Sequence, residues 1–108
     1  MLVFKNYLIG VLTHHVNVAS NELPINPAFI KRLVKDMEVG DHVYISLLRD
    51  DIYEIVKFTY TPDSYTERSI IVDRDVENKG RSNFHCGAVV KVDWVDIQLR
   101  EFIEQVKK

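Results

Sequence analysis

Four side chains that commonly bind metals or act as nucleophiles occur as two adjacent pairs, His14–His15 and His85–Cys86. Structural zinc sites use paired ligands at spacings such as Cys-x2-Cys or His-x3-His. Directly adjacent residues on an extended strand point to opposite sides, so neither pair is predicted to chelate a metal. For the same reason His85 is not placed to activate the thiol, and we expect Cys86 to be a buried, unreactive small residue.

The carboxylates show no pair with the arrangement of a general acid and a general base. Asp50–Asp51 is typical of a hairpin turn, and Asp73-Arg74-Asp75 is explained more simply by an ion pair than by a cation site. The four glycines are too scattered for a phosphate-binding loop. The sequence therefore predicts no catalytic residues, no metal ligands and no cofactor, and we expect a protein that is not an enzyme.

Aromatic residues are the remaining chemical signal, because tyrosine and tryptophan are enriched where proteins meet other proteins. Two interpretations stay open: the aromatics form an interface, or the tyrosine hydroxyls simply face solvent. The candidate interface residues are Tyr44, Tyr60, Tyr65 and Phe84.

The N-terminal elements follow from local patterns. Residues 2–19 are apolar and β-branched and predict one or two strands, with Gly10 a candidate for a bulge. A turn-rich connector over 20–27 leads to a predicted helix over 27–38, with Asn26 as its N-cap and Pro27 at its first position. Gly40 is placed for the left-handed residue that often follows a helix.

The rest of the chain predicts a sheet and a closing helix. Alternating apolar residues predict strands over 42–47, 53–60, 68–73 and 88–94, and their short connections favour antiparallel pairing. Residues 96–107 predict an amphipathic C-terminal helix. The expected fold is one α+β domain, residues 1–108, in which a curled antiparallel β-meander forms a small barrel-like sheet carrying the two helices.

Composition excludes several classes of partner. The net charge of −2 lacks the basic excess of a nucleic-acid-binding domain, so we expect no nucleic-acid partner. The longest apolar run, residues 7–13, is far shorter than the ~20 residues of a membrane-spanning helix.

No signal-peptide pattern begins the chain, which favours folding in a cytoplasm. The single cysteine rules out an intramolecular disulfide.

A series of short motifs follows Gly40-Asp41. It consists of a strand at 42–45, Tyr-Glu-Ile-Val-Lys-Phe at 53–58, a polar turn at 71–80, and Asn-Phe-His-Cys-Gly-Ala-Val-Val at 83–90 before Trp94. Over residues 39–103 this series resembles a pattern in small structural proteins of bacteriophage tails, baseplates and fibre attachments. The chain departs from the pattern at Asp75, at Lys79-Gly80 and at His85. The resemblance implies a virion component, assembled in the host cytoplasm, that works as a symmetric oligomer with other tail proteins.

Two charged residues are predicted to hold the loop in this region. The fork-shaped donor set of Arg74 suits hydrogen bonds to carbonyls of the loop over 75–83. Glu54 interrupts an otherwise apolar strand and is its natural partner.

The favoured hypothesis is a phage tail structural subunit. A small bacterial adaptor or regulatory module that binds a protein is the alternative. An enzyme or ligand-binding protein built on the histidines and Cys86 is a third, less favoured hypothesis.

Overall fold

The computed structural model of the chain describes residues 2, 8–50, 52–77, 80–92 and 103–105. Six strands and one helix have defined bounds within these residues. In chain order they are β1 Leu8–Val11, β2 Glu22–Pro24, α1 Pro27–Val34, β3 His42–Arg49, β4 Ile52–Thr59, β5 Ser69–Ile71 and β6 Val89–Val92. Residues 103–105 are also helical.

Antiparallel pairing organises all of these strands. The larger sheet has the order β1-β6-β3-β4, and β2 pairs with β5 in a second, two-stranded sheet. The predicted α+β class and antiparallel sheet are therefore confirmed, although the described strands do not close into a barrel. The order also departs from a simple meander, because β5 leaves the main sheet to pair with β2 and β6 returns between β1 and β3.

Helix α1 begins at Pro27, as predicted, but it ends at Val34 instead of residue 38. The C-cap Lys35 already leaves the helical backbone with ψ of 128°, and Asp36 follows in a left-handed conformation with φ of 62°. Gly40, with φ of 92°, lies in the turn before β3 and is not the cap of this helix. Asn26 is the N-cap residue, as predicted, but its side chain makes no capping hydrogen bond. Its side-chain oxygen accepts a hydrogen bond from the Val11 backbone N–H at 3.0 Å, so the side chain joins the helix start to β1.

Gly10 marks the close contact between this helix and the sheet. It pairs in register with Val90, so the predicted bulge is absent from β1. A Cβ at this position would lie 2.7 Å from the Asn26 side-chain oxygen and 2.8 Å from the Phe29 ring. The glycine is therefore explained by the approach of α1.

The main core fills the space between the inner face of the large sheet and α1. It includes Phe29, Ile30 and Leu33 from the helix and Leu47, Val56 and Val90 from the sheet. Glu54 lies opposite Leu47 in the β3–β4 register and therefore also faces inward. The fold thus places a carboxylate on the buried face of a strand, where it needs a partner.

The predicted C-terminal helix over 96–107 lies outside the described residues except for 103–105, as does Trp94. Within the described part of the chain, no helix is long and apolar enough to cross a membrane.

Candidate functional site: a buried ion pair and an exposed sheet face

Arg74 and Glu54, the two charged residues singled out from the sequence, are in direct contact. The guanidinium Nε donates to Glu54 Oε2 at 2.5 Å, and Nη2 donates to Oε1 at 2.8 Å. Their side chains are only 0% and 1% exposed. This two-point geometry is the strong form of an arginine–carboxylate pair.

The other guanidinium donors bind backbone carbonyls from distant parts of the chain. Nη1 donates to the carbonyl oxygens of Asn17 at 3.0 Å and Ser20 at 2.7 Å, and Nη2 also donates to that of Ser82 at 2.9 Å. All five N–H groups of Arg74 are thus engaged.

The Glu54 carboxylate is equally occupied. Besides Arg74, it accepts hydrogen bonds from the backbone N–H groups of Asp75 and Ser82, both at 3.1 Å. The pair therefore joins strand β4 to residues 74–75 and to the loops 17–20 and 80–82. Because both side chains are buried and fully hydrogen-bonded, they hold the conformation of these loops.

Two of the four predicted interface aromatics are buried, so their assignment as exposed contact residues was wrong. Phe84 is inaccessible in the main core, where its segment pairs with Val16. Tyr44 is 7% exposed and forms a second small core with Leu2 and Ile55 on the outer face of the sheet. Leu2, which bridges to His42, covers this position, a contact that local sequence patterns do not show.

Tyr60 and Tyr65 remain partly accessible and lie against each other. Their rings stack with centroids 5.6 Å apart and planes inclined by 28°. The hydrogen bond to the Tyr65 side chain raises the pKa of Tyr60 above its ordinary value, with smaller contributions from the charge of Tyr65 and from desolvation.

An apolar row that the sequence analysis did not single out crosses the outer face of the large sheet. The strand registers place Val11 opposite Val89, Val89 opposite Leu48, and Leu48 opposite Tyr53. The exposed fractions are 42% for Val11, 37% for Val89 and 46% for Tyr53, and Ile9 adds a further residue on this face at 54%. Strands β1 and β6 carry apolar residues on both faces. This pattern in the sequence could have predicted that one apolar set faces outward.

The histidines and the cysteine lie near one another on the surface. Cys86 is exposed, so the expectation of a buried thiol was wrong; its Sγ donates to the Thr13 carbonyl oxygen at 3.2 Å. The rings of His15 and His85 are 5.4 Å apart, and His14 Nδ1 lies 3.0 Å from Thr13 Oγ1. Among the residues that the structure describes, no group of three or more His, Cys, Asp or Glu is arranged to hold a metal ion.

Two open depressions meet near Arg68. One, of about 610 Å³, lies between the His14–His15 turn and the β2–β5 sheet, and the other, of about 550 Å³, lies between α1 and residues 65–68. In the first, the Ser69 hydroxyl already donates to Glu22 at 2.9 Å. Thr13 and His14 also line this depression, with Thr13 Oγ1 and His14 Nδ1 3.0 Å apart.

No protein-family model matches this chain, and no curated protein matches it.

Proposed function

We propose that this chain is a non-enzymatic structural subunit of a phage or prophage tail. In this role it acts as an oligomeric connector or adaptor near the tail tip, baseplate or fibre attachment. The observation that carries the proposal is the apolar row across the outer face of the large sheet, from Val11 to Tyr53. Contiguous exposed apolar surface of this kind is typical of protein interaction sites.

The edges of the sheet favour association through this face. Beside β1, Leu12 bridges to Ile25, and Asn26 bonds to both backbone groups of Val11. Beside β4, Lys57 and Asp73 exchange backbone hydrogen bonds at 3.0 and 2.9 Å. Because these segments occupy part of each edge, addition of a strand from another chain is disfavoured there. We therefore assign the outer face to contact with a second copy of this chain.

The buried Arg74–Glu54 pair supports the same function. An assembled tail needs subunits whose loops keep one shape, and this pair fixes two loops that lack regular secondary structure. The resemblance over residues 39–103 to tail, baseplate and fibre-associated proteins is the reason for proposing that this assembly is a phage tail.

The first test is the oligomeric state of the purified chain, measured by light scattering after size exclusion. Wild-type protein is expected to form a defined oligomer, and Val89→Lys, at the centre of the apolar row, is expected to dissociate it. Ile71→Lys is the matched control, because Ile71 is 51% exposed but belongs to the β2–β5 sheet. A monomeric wild type, or equal effects of the two variants, would contradict the assignment of this face.

The second test addresses the tail itself. Particles induced from a host that encodes this chain are purified and analysed by mass spectrometry and by electron microscopy with a tagged copy. The proposal expects the chain at fixed stoichiometry in the tail. If the chain forms the oligomer but is absent from purified particles, the assignment of the outer sheet face as an interface is supported and the tail function is excluded.

A further inference from the structure

His15 and His85 are brought together by the pairing of two separate chain segments. Val16 and Phe84 exchange backbone hydrogen bonds in both directions, each at 2.8 Å. One residue further along this antiparallel pairing, His15 and His85 oppose each other. Positions next to a mutually bonded pair bring their side chains especially close.

The ring geometry fits two ligands of one metal ion. The imidazole centroids are 5.4 Å apart, and the planes are inclined by 40°. With metal–nitrogen bonds of about 2.0–2.1 Å and tetrahedral angles, two coordinating imidazoles have centroids roughly 5 Å apart. Both histidines are exposed, so small torsional changes can align their nitrogens without disturbing the core.

We propose that His15 and His85 form a two-histidine site for a divalent first-row transition metal ion. Imidazole suits zinc, nickel and copper, and for such sites affinity generally rises along the series towards Cu²⁺. Two protein ligands leave the remaining coordination positions to water or to a group from another molecule. The site is separate from the Arg74–Glu54 pair and from the apolar row, and it goes beyond the proposed tail function.

The neighbouring candidate ligands are engaged elsewhere. His14 Nδ1 is within hydrogen-bond distance of Thr13 Oγ1, and Cys86 Sγ donates to the Thr13 carbonyl. His42 is buried, with its ring edge-on to Tyr44 at 5.7 Å. The assignment therefore rests on two imidazoles and not on the thiol.

The test is titration of the full chain with Ni²⁺ in a calorimeter, a metal that does not consume the thiol by oxidation. The expected result is one Ni²⁺ per chain. His15→Ala and His85→Ala should each weaken binding by roughly 100-fold, because the second imidazole binds at high effective concentration once the first has bound. The double variant keeps neither imidazole and should bind at least as weakly as either single variant.

Two matched variants complete the experiment. His14→Ala, also exposed, and Cys86→Ser should leave the affinity unchanged, and circular dichroism checks that every variant is folded. Ni²⁺ should raise the melting temperature of the wild type but not that of His15→Ala, as expected for a ligand of the folded state. Equal losses in His14→Ala and His15→Ala, loss in Cys86→Ser, or no binding by the wild type would overturn the two-histidine site.

Discussion

The Arg74 guanidinium and the Glu54 carboxylate meet side by side through two hydrogen bonds, and both are shielded from solvent. Burying two charges costs several kcal/mol for each ion, and the cost is offset only when the remaining donors and acceptors are bonded. Here Arg74 makes three further bonds to carbonyls, and Glu54 accepts two more from backbone N–H groups. Removal of one partner is therefore more damaging than replacement of both.

Arg74→Ala is expected to lower the free energy of unfolding by about 3–5 kcal/mol, because Glu54 remains as an unpaired buried charge. Urea denaturation followed by circular dichroism measures this change. Hydrogen exchange should also show faster exchange of the Ser82 amide, which loses a fixed acceptor. Arg81→Ala is the control: Arg81 is exposed, its Nη1 donates to the Val18 carbonyl at 3.1 Å, and its loss should cost about 0.5 kcal/mol or less.

The double variant Arg74→Met with Glu54→Leu separates charge burial from loop anchoring. It removes both charges together, so we expect a smaller loss of stability than in Arg74→Ala. It should nevertheless remain less stable than the wild type, because Asp75 and Ser82 lose their acceptor. A double variant as unstable as the single variant would show that anchoring dominates.

The sequence predicted those helices and strands whose pattern of apolar, polar and turn residues lies within a short stretch of the chain. The Pro27 helix start and strands β3 and β4 follow from adjacent residues, and Glu54 stands out because a carboxylate on an inward position needs a partner. Those patterns could not identify the carbonyls of Asn17 and Ser20 as ligands of Arg74, since they lie more than 50 positions away.

Several features that the sequence did not predict depend on contacts between residues distant in the chain. The connector over 20–27 contains strand β2, which is defined by its pairing with β5 and has only three residues. The burial of Tyr44 depends on Leu2, and the contact between His15 and His85 depends on the Val16–Phe84 pairing. In each case a contact distant in sequence decided the environment of the residue.

Gly10→Ala tests the close approach of α1 to β1. The added methyl group would lie 2.7–2.8 Å from Asn26 and Phe29, so we expect a loss of about 1–3 kcal/mol in urea denaturation. Phe29→Leu should act non-additively with Gly10→Ala, because both changes alter the same contact. If the stability losses of the two single variants simply add in the double variant, α1 does not contact position 10 closely.

Cys86 should react stoichiometrically with a thiol reagent in the native protein, because its side chain is exposed. The control moves the cysteine to a buried position in the variant Cys86→Ser with Val90→Cys, since Val90 is inaccessible. That thiol should react only on unfolding. Slow labelling of native wild type, matching the rate of global unfolding, would restore the original expectation of a buried thiol.

Tyr65→Phe should lower the pKa of Tyr60 towards its ordinary value of 10.0, because the side-chain hydrogen bond with Tyr65 is the largest cause of the raised value. Titration followed by NMR of ring-labelled tyrosines measures this shift, and Tyr53→Phe serves as the control. A pKa that is higher in the folded protein than in the unfolded chain stabilises the fold below pH 10.0, and this contribution is lost as the pH rises through the folded-state pKa. Wild-type protein should therefore lose more stability than Tyr65→Phe across that alkaline range, and identical pH profiles would exclude the coupling of these two rings.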